Sequence, residues 1–235
     1  MLQLALGKKM PHDRFYINAP LEKKVLLTGE EFSHLTRVMR KKEGDTIELV
    51  NGKNVLATST IETITKKEAH ITIGQSTTHP PALPSLTLVQ ALPKLSNLEL
   101  ILQKGTELGV STFALYPSAR SEKKELSKNQ EARFHRIIIG AMKQCGRLDL
   151  PQLTWGFPNI EGNAYFGDLR SGAPALSSVS KLPATLIIGP EGGFTDDEVK
   201  HLETLAQGVR LASYTLRTET AALAGISILA SSYSL

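Results

Sequence analysis

Two rhythms of apolar residues divide the chain. Up to residue 78 the apolar runs are short and alternate with polar positions. Thr46-Ile47-Glu48-Leu49-Val50 and Val55-Leu56-Ala57-Thr58 flank Asn51-Gly52, which predicts an antiparallel hairpin, and Ala69 to Ile73 predicts a further strand. After the strand-like Val25-Leu26-Leu27, residues Phe32, Leu35, Val38 and Met39 recur at helical spacing. They follow Thr28-Gly29-Glu30-Glu31, which has the Thr-x-x-Glu form of a capping box. A helix over about Glu30 to Arg40 is expected, with several short strands around it as a small barrel-like module.

Beyond Ser76-Thr77-Thr78-His79-Pro80-Pro81-Ala82-Leu83-Pro84, whose prolines and lack of period mark a linker at 79–84, strands and helices alternate. Leu86–Ala91 and Thr112–Tyr116 read as strands. Ser96-Asn97-Leu98-Glu99 reads as a capping box opening a helix that Gly109 ends. A second helix, from about Glu131 to Cys145, gathers Phe134, Ile137, Ile138, Ala141 and Cys145 on one face. Ala175–Val179 is a weak strand signal, Ala184–Ile188 a strong one, and Val209–Ala212 another. This rhythm predicts an α/β domain over 85–235, with a parallel sheet and helices on both faces, after a smaller domain over 1–78.

Composition narrows the chemistry. Of 235 residues, 41% are hydrophobic and 21% charged, enough for packed cores. The net charge of +4 is compatible with a polyanionic partner without requiring one, and most of it lies early: residues 1–80 carry 12 basic and 9 acidic side chains. Cys145 is the single cysteine, so an internal disulfide is excluded and a reducing cytoplasm fits. The six histidines have no ligand-like spacing, and metal-free chemistry is expected. No apolar run approaches a membrane span, and Lys8 and Lys9 follow rather than precede the apolar first residues, unlike a signal peptide.

Two loops are chemically richer than ordinary turns. Gly189-Pro190-Glu191-Gly192-Gly193-Phe194 follows the apolar Leu186-Ile187-Ile188, at the strand end where open α/β sheets bind ligands. It lacks Gly-Lys-Ser/Thr and Gly-x-Gly-x-x-Gly, and three acids follow in the next helix's first turn, so a nucleotide phosphate is a poor fit. On its own the loop fits a tight strand-to-helix turn equally well. Leu216-Arg217-Thr218-Glu219-Thr220-Ala221 leads into a small-residue apolar helix that must be largely buried. By themselves Arg217 and Glu219 fit an interdomain or capping ion pair better than catalysis.

Taken together, the two loops resemble the paired signature loops of the 16S rRNA uridine-N3 methyltransferases, a family of the SPOUT class. The resemblance takes in Gln103-Lys104-Gly105-Thr106-Glu107-Leu108-Gly109-Val110, Gln144-Cys145-Gly146-Arg147, Arg14-Phe15-Tyr16 and His34-Leu35-Thr36-Arg37-Val38-Met39-Arg40. It implies a PUA-like β-barrel RNA-binding domain followed by a SPOUT-type domain with a trefoil knot over roughly 184–225. It also implies a cytoplasmic homodimer that binds S-adenosylmethionine and acts on 16S rRNA within the small ribosomal subunit. The expected start is Met10, with residues 1–9 an extension.

The cofactor-binding residues implied are Leu176, Ile188, Gly189, Pro190, Glu191, Gly192, Gly193, Leu211, Leu216, Thr218, Thr220 and Ala221. The implied catalytic pair is Arg217, orienting the uracil carbonyls or stabilising the developing anion, and Glu219, accepting the N3 proton or orienting Arg217; the orienting role is favoured. Arg14, Arg37, Arg40, Lys41, Lys42, Lys94, Lys104 and Arg147 are the candidate phosphate contacts. His34 reads as a packed or capping histidine rather than a catalyst, Phe15 and Tyr16 as core packing in preference to stacking on a base, and Trp155 as structural. Lys143, Cys145 and the stretch Leu211-Ala212-Ser213-Tyr214-Thr215 depart from the family pattern, and Ala212 narrows the backbone freedom of a cofactor loop. Ribose 2′-hydroxyl methylation and a non-catalytic assembly factor are the alternatives.

Overall fold

In the computed structural model, which describes residues 13–233, the chain divides into two compact units. One runs through Ala82 and also takes in Met142–Leu150; the other comprises Leu83–Ala141 and the chain from Pro151 onward. The expected extension, residues 1–9, lies outside the described residues.

The first unit is a five-stranded sheet in the order β1 (Arg14–Tyr16), β3 (Thr46–Val50), β4 (Val55–Ile64), β5 (Glu68–Thr78), β2 (Lys24–Thr28). Every pair is antiparallel except β1 with β3. The alternation read from sequence puts Ile47, Leu49, Ile61, Ala69 and Ile71 inward, where they meet Phe15, Leu27 and Leu35 in one core. The predicted hairpin forms, but its loop is wider than a two-residue turn because Val50 lies opposite Leu56. The loop pairs instead with a distant segment: Asn54 N donates to Leu148 O at 3.0 Å and Leu150 N to Gly52 O at 2.9 Å.

The predicted helix forms only in part. α1 (Gly29–Ser33) passes into a π-helical turn, His34–Val38, closed by Met39 N donating to His34 O at 2.9 Å. The Thr36 hydroxyl donates to Phe32 O at 2.9 Å, competing for a carbonyl of the regular ladder and favouring the wider turn. The capping box expected at Thr28 is not made. Glu31 accepts instead from Tyr16 N at 3.1 Å and from Lys143 Nζ at 2.5 Å, which gives the unusual lysine at 143 a half-buried partner.

The second unit is a six-stranded parallel sheet in the order β11-β9-β10-β6-β7-β8. β6 (Leu86–Ala91), β7 (Thr112–Tyr116) and β10 (Ala184–Ile188) coincide with the predicted strands. β8 (Gln152–Trp155) and β9 (Asn163–Gly167) were not predicted, and β11 (Gln207–Val209) lies earlier than the expected Val209–Ala212. The Ala175–Val179 signal corresponds to a single helical turn, α4 (Leu176–Val179). There the Ser178 hydroxyl donates to Ala175 O at 2.7 Å and turns the chain, leaving only Ala175 bridged to Arg210.

α2 (Leu95–Glu107) ends as predicted at Gly109, whose φ is +102°, with Gly109 N and Val110 N returning to Thr106 O and Gly105 O. Its start departs from the predicted Ser96 box, because Lys94 is the cap and Glu99 instead pairs with Arg133 of α3 (Lys128–Cys145). On α3, Phe134, Ile138 and Ala141 are buried, whereas Cys145, placed on that face by its spacing, is exposed. α5 (Asp196–Glu203) covers one face of the sheet through Leu202 and Val199, packed with Ile187, Val89, Ala114 and Phe166. α6 (Thr218–Ser231) covers the other, where Gly225 lies so close to β10 that an added Cβ would sit 2.6 Å from Leu186 Cδ2.

Candidate functional site

The C-terminal ends of β10, β9 and β6 gather the loops that the sequence singled out. β10 is buried throughout and delivers the chain into Gly189–Phe194. That loop is held through its carbonyl oxygens. Gly189 O accepts from the Thr218 hydroxyl at 2.7 Å and from Gln90 Nε2 at 3.4 Å, and Pro190 O accepts from Gly193 N at 2.9 Å. Gly192 O and Phe194 O both accept from Arg120 Nη1, at 2.9 and 3.1 Å. The N–H groups of Glu191 and Gly192 have no acceptor among the described residues, so donors are what this loop retains for a ligand.

Glycine is needed here for two separate reasons. Gly193 has φ +66°, in the left-handed region. At Gly192 a Cβ would come within 3.3 Å of Arg120 Cβ, so any side chain there would push the arginine back by a few tenths of an ångström.

α5 begins with a complete capping box, in which Thr195 Oγ1 accepts from Glu198 N and Glu198 Oε2 accepts from Thr195 N. The other oxygen of Glu198 accepts from Ala119 N at 2.8 Å, tying the loop after β7 to this one. Burial opposes the charge on Glu198, but the backbone N–H groups of Ala119 and Thr195, with the Thr195 hydroxyl, hold its carboxyl below the ordinary value. Burial, with the Glu198 charge second, pushes the Tyr116 hydroxyl up. Glu191, expected among the cofactor contacts, spends its carboxylate on the start of α2, accepting from Lys94 N at 3.0 Å and Asn97 Nδ2 at 3.1 Å.

α6 starts beside this loop. Arg217 is the exposed N-cap, Thr218 is buried, and Glu219 is half-buried with Oε2 fully enclosed and no partner among the described residues. Arg217 and Glu219 form no ion pair with each other in this structure. A buried, unpaired carboxylate oxygen is costly and uncommon, and such atoms concentrate where chemistry uses them. Leu216 and Ala221 are half-buried and Thr220 exposed.

The other expected cofactor residues converge from two sides. Leu176 N donates to Arg210 O at 3.0 Å, which joins the α4 turn to the chain just before Leu211. A Cβ placed on Gly167, at the end of β9, would lie 3.6 Å from both Ile188 Cδ1 and Leu211 Cδ1. Ile188, Leu211 and the bare Gly167 therefore make an apolar corner beside a loop rich in free donors. Such a site suits a ligand with one apolar face and several hydrogen-bond acceptors.

Sequence reasoning missed Gln90, Arg120 and Gly167. Gln90 carried a faint signal, as a long polar residue near the end of the otherwise apolar strand Leu86-Thr87-Leu88-Val89-Gln90-Ala91. Arg120 carried none, being one cation in a polar loop.

The candidate phosphate contacts separate into two sets. Arg14 is 7% exposed and places Nε and Nη2 on Glu48 Oε2 at 3.0 and 2.8 Å. Lys41, Lys104 and Arg147 are paired with Asp13, Glu107 and Asp149. Arg37, Arg40, Lys42 and Lys94 are exposed, and none is in an ion pair among the described residues. Phe15 is core, with His34 half-buried beside it at a ring separation of 5.5 Å. Trp155, read as structural, is 49% exposed at the end of β8.

Comparison with known proteins gives a consistent result. Residues 80–230 match the RNA methyltransferase domain family and residues 27–74 the RNA methyltransferase PUA domain family. The ribosomal RNA small subunit methyltransferase E of Bacillus subtilis is 32% identical over 224 residues, covering 86% of this chain and 87% of that protein. Its counterpart in Rickettsia conorii is 29% identical, covering 92% and 94%. The crystal structure of the Neisseria gonorrhoeae enzyme of the same name, bound to S-adenosyl methionine, superposes with a TM-score of 0.82 at 27% identity, covering 96% of this chain and 98% of that one. With a PUA-like β domain ahead of a parallel-sheet α/β domain, and a match along nearly its whole length, the chain belongs to the ribosomal RNA small subunit methyltransferase E family.

Proposed function

We propose that this protein methylates N3 of a uridine in small-subunit ribosomal RNA, using S-adenosylmethionine. The observation that carries the reading is the meeting of two loops at one strand end, joined by the Thr218–Gly189 hydrogen bond, with an unpaired Arg217 and a partly enclosed Glu219 on either side of Thr218. The residues fit the cofactor: the free N–H groups of Glu191 and Gly192 suit adenine acceptors, and Ile188 and Leu211 suit its apolar face. When bound, S-adenosylmethionine supplies an electrophilic methyl group and its own leaving group, so no metal is called for.

The protein's task is to position the base and manage one proton. Uridine N3 becomes nucleophilic only as its imide proton leaves, and the half-buried Glu219 carboxylate, which meets no donor at its enclosed Oε2, is the group assigned to receive it. Arg217, always charged and engaged by no described residue, is assigned to the negative charge that builds on the flanking uracil carbonyls. Because N3 lies on the pairing edge, the target must be unpaired or flipped out of its stack. Arg37, Arg40, Lys42 and Lys94 are the remaining candidates for phosphate contact. The reading also carries a trefoil knot over roughly 184–225, a homodimer whose second subunit helps build the site, and action in the cytoplasm on the small subunit.

The test is methylation of small ribosomal subunits from a strain lacking this activity, followed by nuclease digestion and mass analysis. N3-methyluridine is the expected product. A ribose-methylated nucleoside would replace the acceptor assignment, and binding without any methylation would identify an assembly factor.

A further inference from the structure

We propose that Gln90 is a positioning residue, a clip that sets the spacing between the loop after β10 and the first turn of α6. This inference rests on the function proposed above and names a residue outside the signature loops.

Gln90 is fully buried at the C-terminal end of β6, beside β10 in the middle of the sheet. Its Nε2 lies 2.9 Å from Ala91 O, 3.2 Å from Thr218 Oγ1 and 3.4 Å from Gly189 O. Thr218 gives its own hydroxyl hydrogen to Gly189 O at 2.7 Å, so toward Gln90 that oxygen can only accept. This fixes which end of the amide is nitrogen. With one amide hydrogen on Ala91 O, the other is shared between Thr218 Oγ1 and, more weakly, Gly189 O, so the three groups close a ring that joins β6, the loop after β10 and α6.

The other end of the amide argues for a role beyond holding the fold. Oε1 is buried with no donor among the described residues. An amide with one end unmet stabilises a core less than an apolar side chain of the same length. What the amide adds is direction. It fixes the Gly189 carbonyl, and so the plane of the Gly189–Pro190 peptide, together with the rotamer of Thr218 between Arg217 and Glu219. Neither loop can shift toward or away from the other without breaking this ring.

The experiment uses full-length Gln90→Met, Thr218→Val, Thr218→Ser and the Gln90→Met/Thr218→Val double variant. Calorimetric Kd for S-adenosylmethionine, kcat and KM on small subunits, and melting temperature are measured for each. Gln90→Met, close in length and apolar, is expected to melt near wild type while S-adenosylmethionine binding weakens about tenfold. Thr218→Val should weaken binding similarly, Thr218→Ser should restore it, and the double variant should be no worse than the poorer single one. Wild-type Kd and KM in Gln90→Met, or single effects that simply add, would overturn the clip. If Gln90→Met does not fold, the Thr218 pair decides: unchanged binding in Thr218→Val overturns the proposal. Wild-type protein that does not bind S-adenosylmethionine overturns the proposed function as well, whereas normal wild-type binding with a normal Gln90→Met overturns the clip alone.

Discussion

Thr218 reaches back across 29 residues of chain to donate its hydroxyl to Gly189 O at 2.7 Å, and this single bond aligns the two loops on which the proposed chemistry depends. Around it, residues that hold the loops and residues free to act on a substrate are different residues. Four predictions exploit that separation.

Arg217 caps α6 with its backbone, and its side chain makes no hydrogen bond or ion pair among the described residues. Arg217→Ala should therefore leave the melting temperature unchanged while kcat falls by about 10²–10³, the size of effect seen when a donor to a developing anion is removed. Arg217→Lys should recover only part of that, since an ammonium keeps the charge but lacks the guanidinium's fixed planar pair of donors. Steady-state kinetics alongside thermal melting check both. Normal turnover in Arg217→Ala would remove it from the mechanism.

Glu219→Gln keeps shape but removes a carboxylate whose Oε2 is enclosed without a partner. Turnover should drop by about 10²–10⁴, as for loss of a general base. Stability should hold or rise, because an unmet buried charge is removed. A variant that melts markedly lower would instead make Glu219 a structural residue.

Arg120 grips the glycine loop from outside, through Gly192 O and Phe194 O. Arg120→Ala exposes both carbonyls to water, so the stability cost should be only about 0.5–1.5 kcal/mol. The freed loop should nonetheless bind S-adenosylmethionine more weakly, raising KM for the cofactor with little change in kcat. Titration calorimetry and kinetics separate the two effects.

Glu198 sets an acid limit. Its carboxyl is held below the ordinary 4.5, so the folded state favours the charged form more than the unfolded chain does. The stabilisation is complete above that value and is lost as pH falls through the lower folded-state value. The melting difference between wild type and Glu198→Gln should be constant near neutrality and shrink in acid below about pH 4.5. A difference that persists unchanged to pH 3 would contradict the bonds drawn from Ala119 and Thr195.

How much of this was legible depended on whether a segment's neighbours are local. β6, β7 and β10 were read correctly because each is a continuous apolar run of strand length bounded by polar turns. β9 was missed because Asn163–Gly167 opens on a polar residue and is bracketed by Gly162 and Gly167, and the strands it pairs with lie elsewhere in sequence. Helix starts misled for a related reason. Thr28-x-x-Glu31 and Ser96-x-x-Glu99 have the local form of capping boxes, but Glu31 and Glu99 find better partners in Lys143 and Arg133, and only Thr195–Glu198 closes. Gly189–Phe194 and Thr218 were legible as chemistry, whereas Gln90 and Arg120, which hold them, became visible only in three dimensions. Arg14 shows the reverse: a cation chosen for its charge turns out to serve Glu48 inside the small unit.

The pairing of Gly52 and Asn54 with Leu150 and Leu148 has a consequence for how the protein is born. A nascent chain emerges N-terminus first, so the hairpin loop of the first unit waits, with a backbone donor and acceptor unmet, until residue 150 has left the ribosome. The first unit is therefore complete only after part of the second has already been made. Cleaving the protein at the proline-rich stretch would release a first unit without its last-arriving partner, less resistant to proteases than the same unit supplied with a peptide spanning residues 142–150.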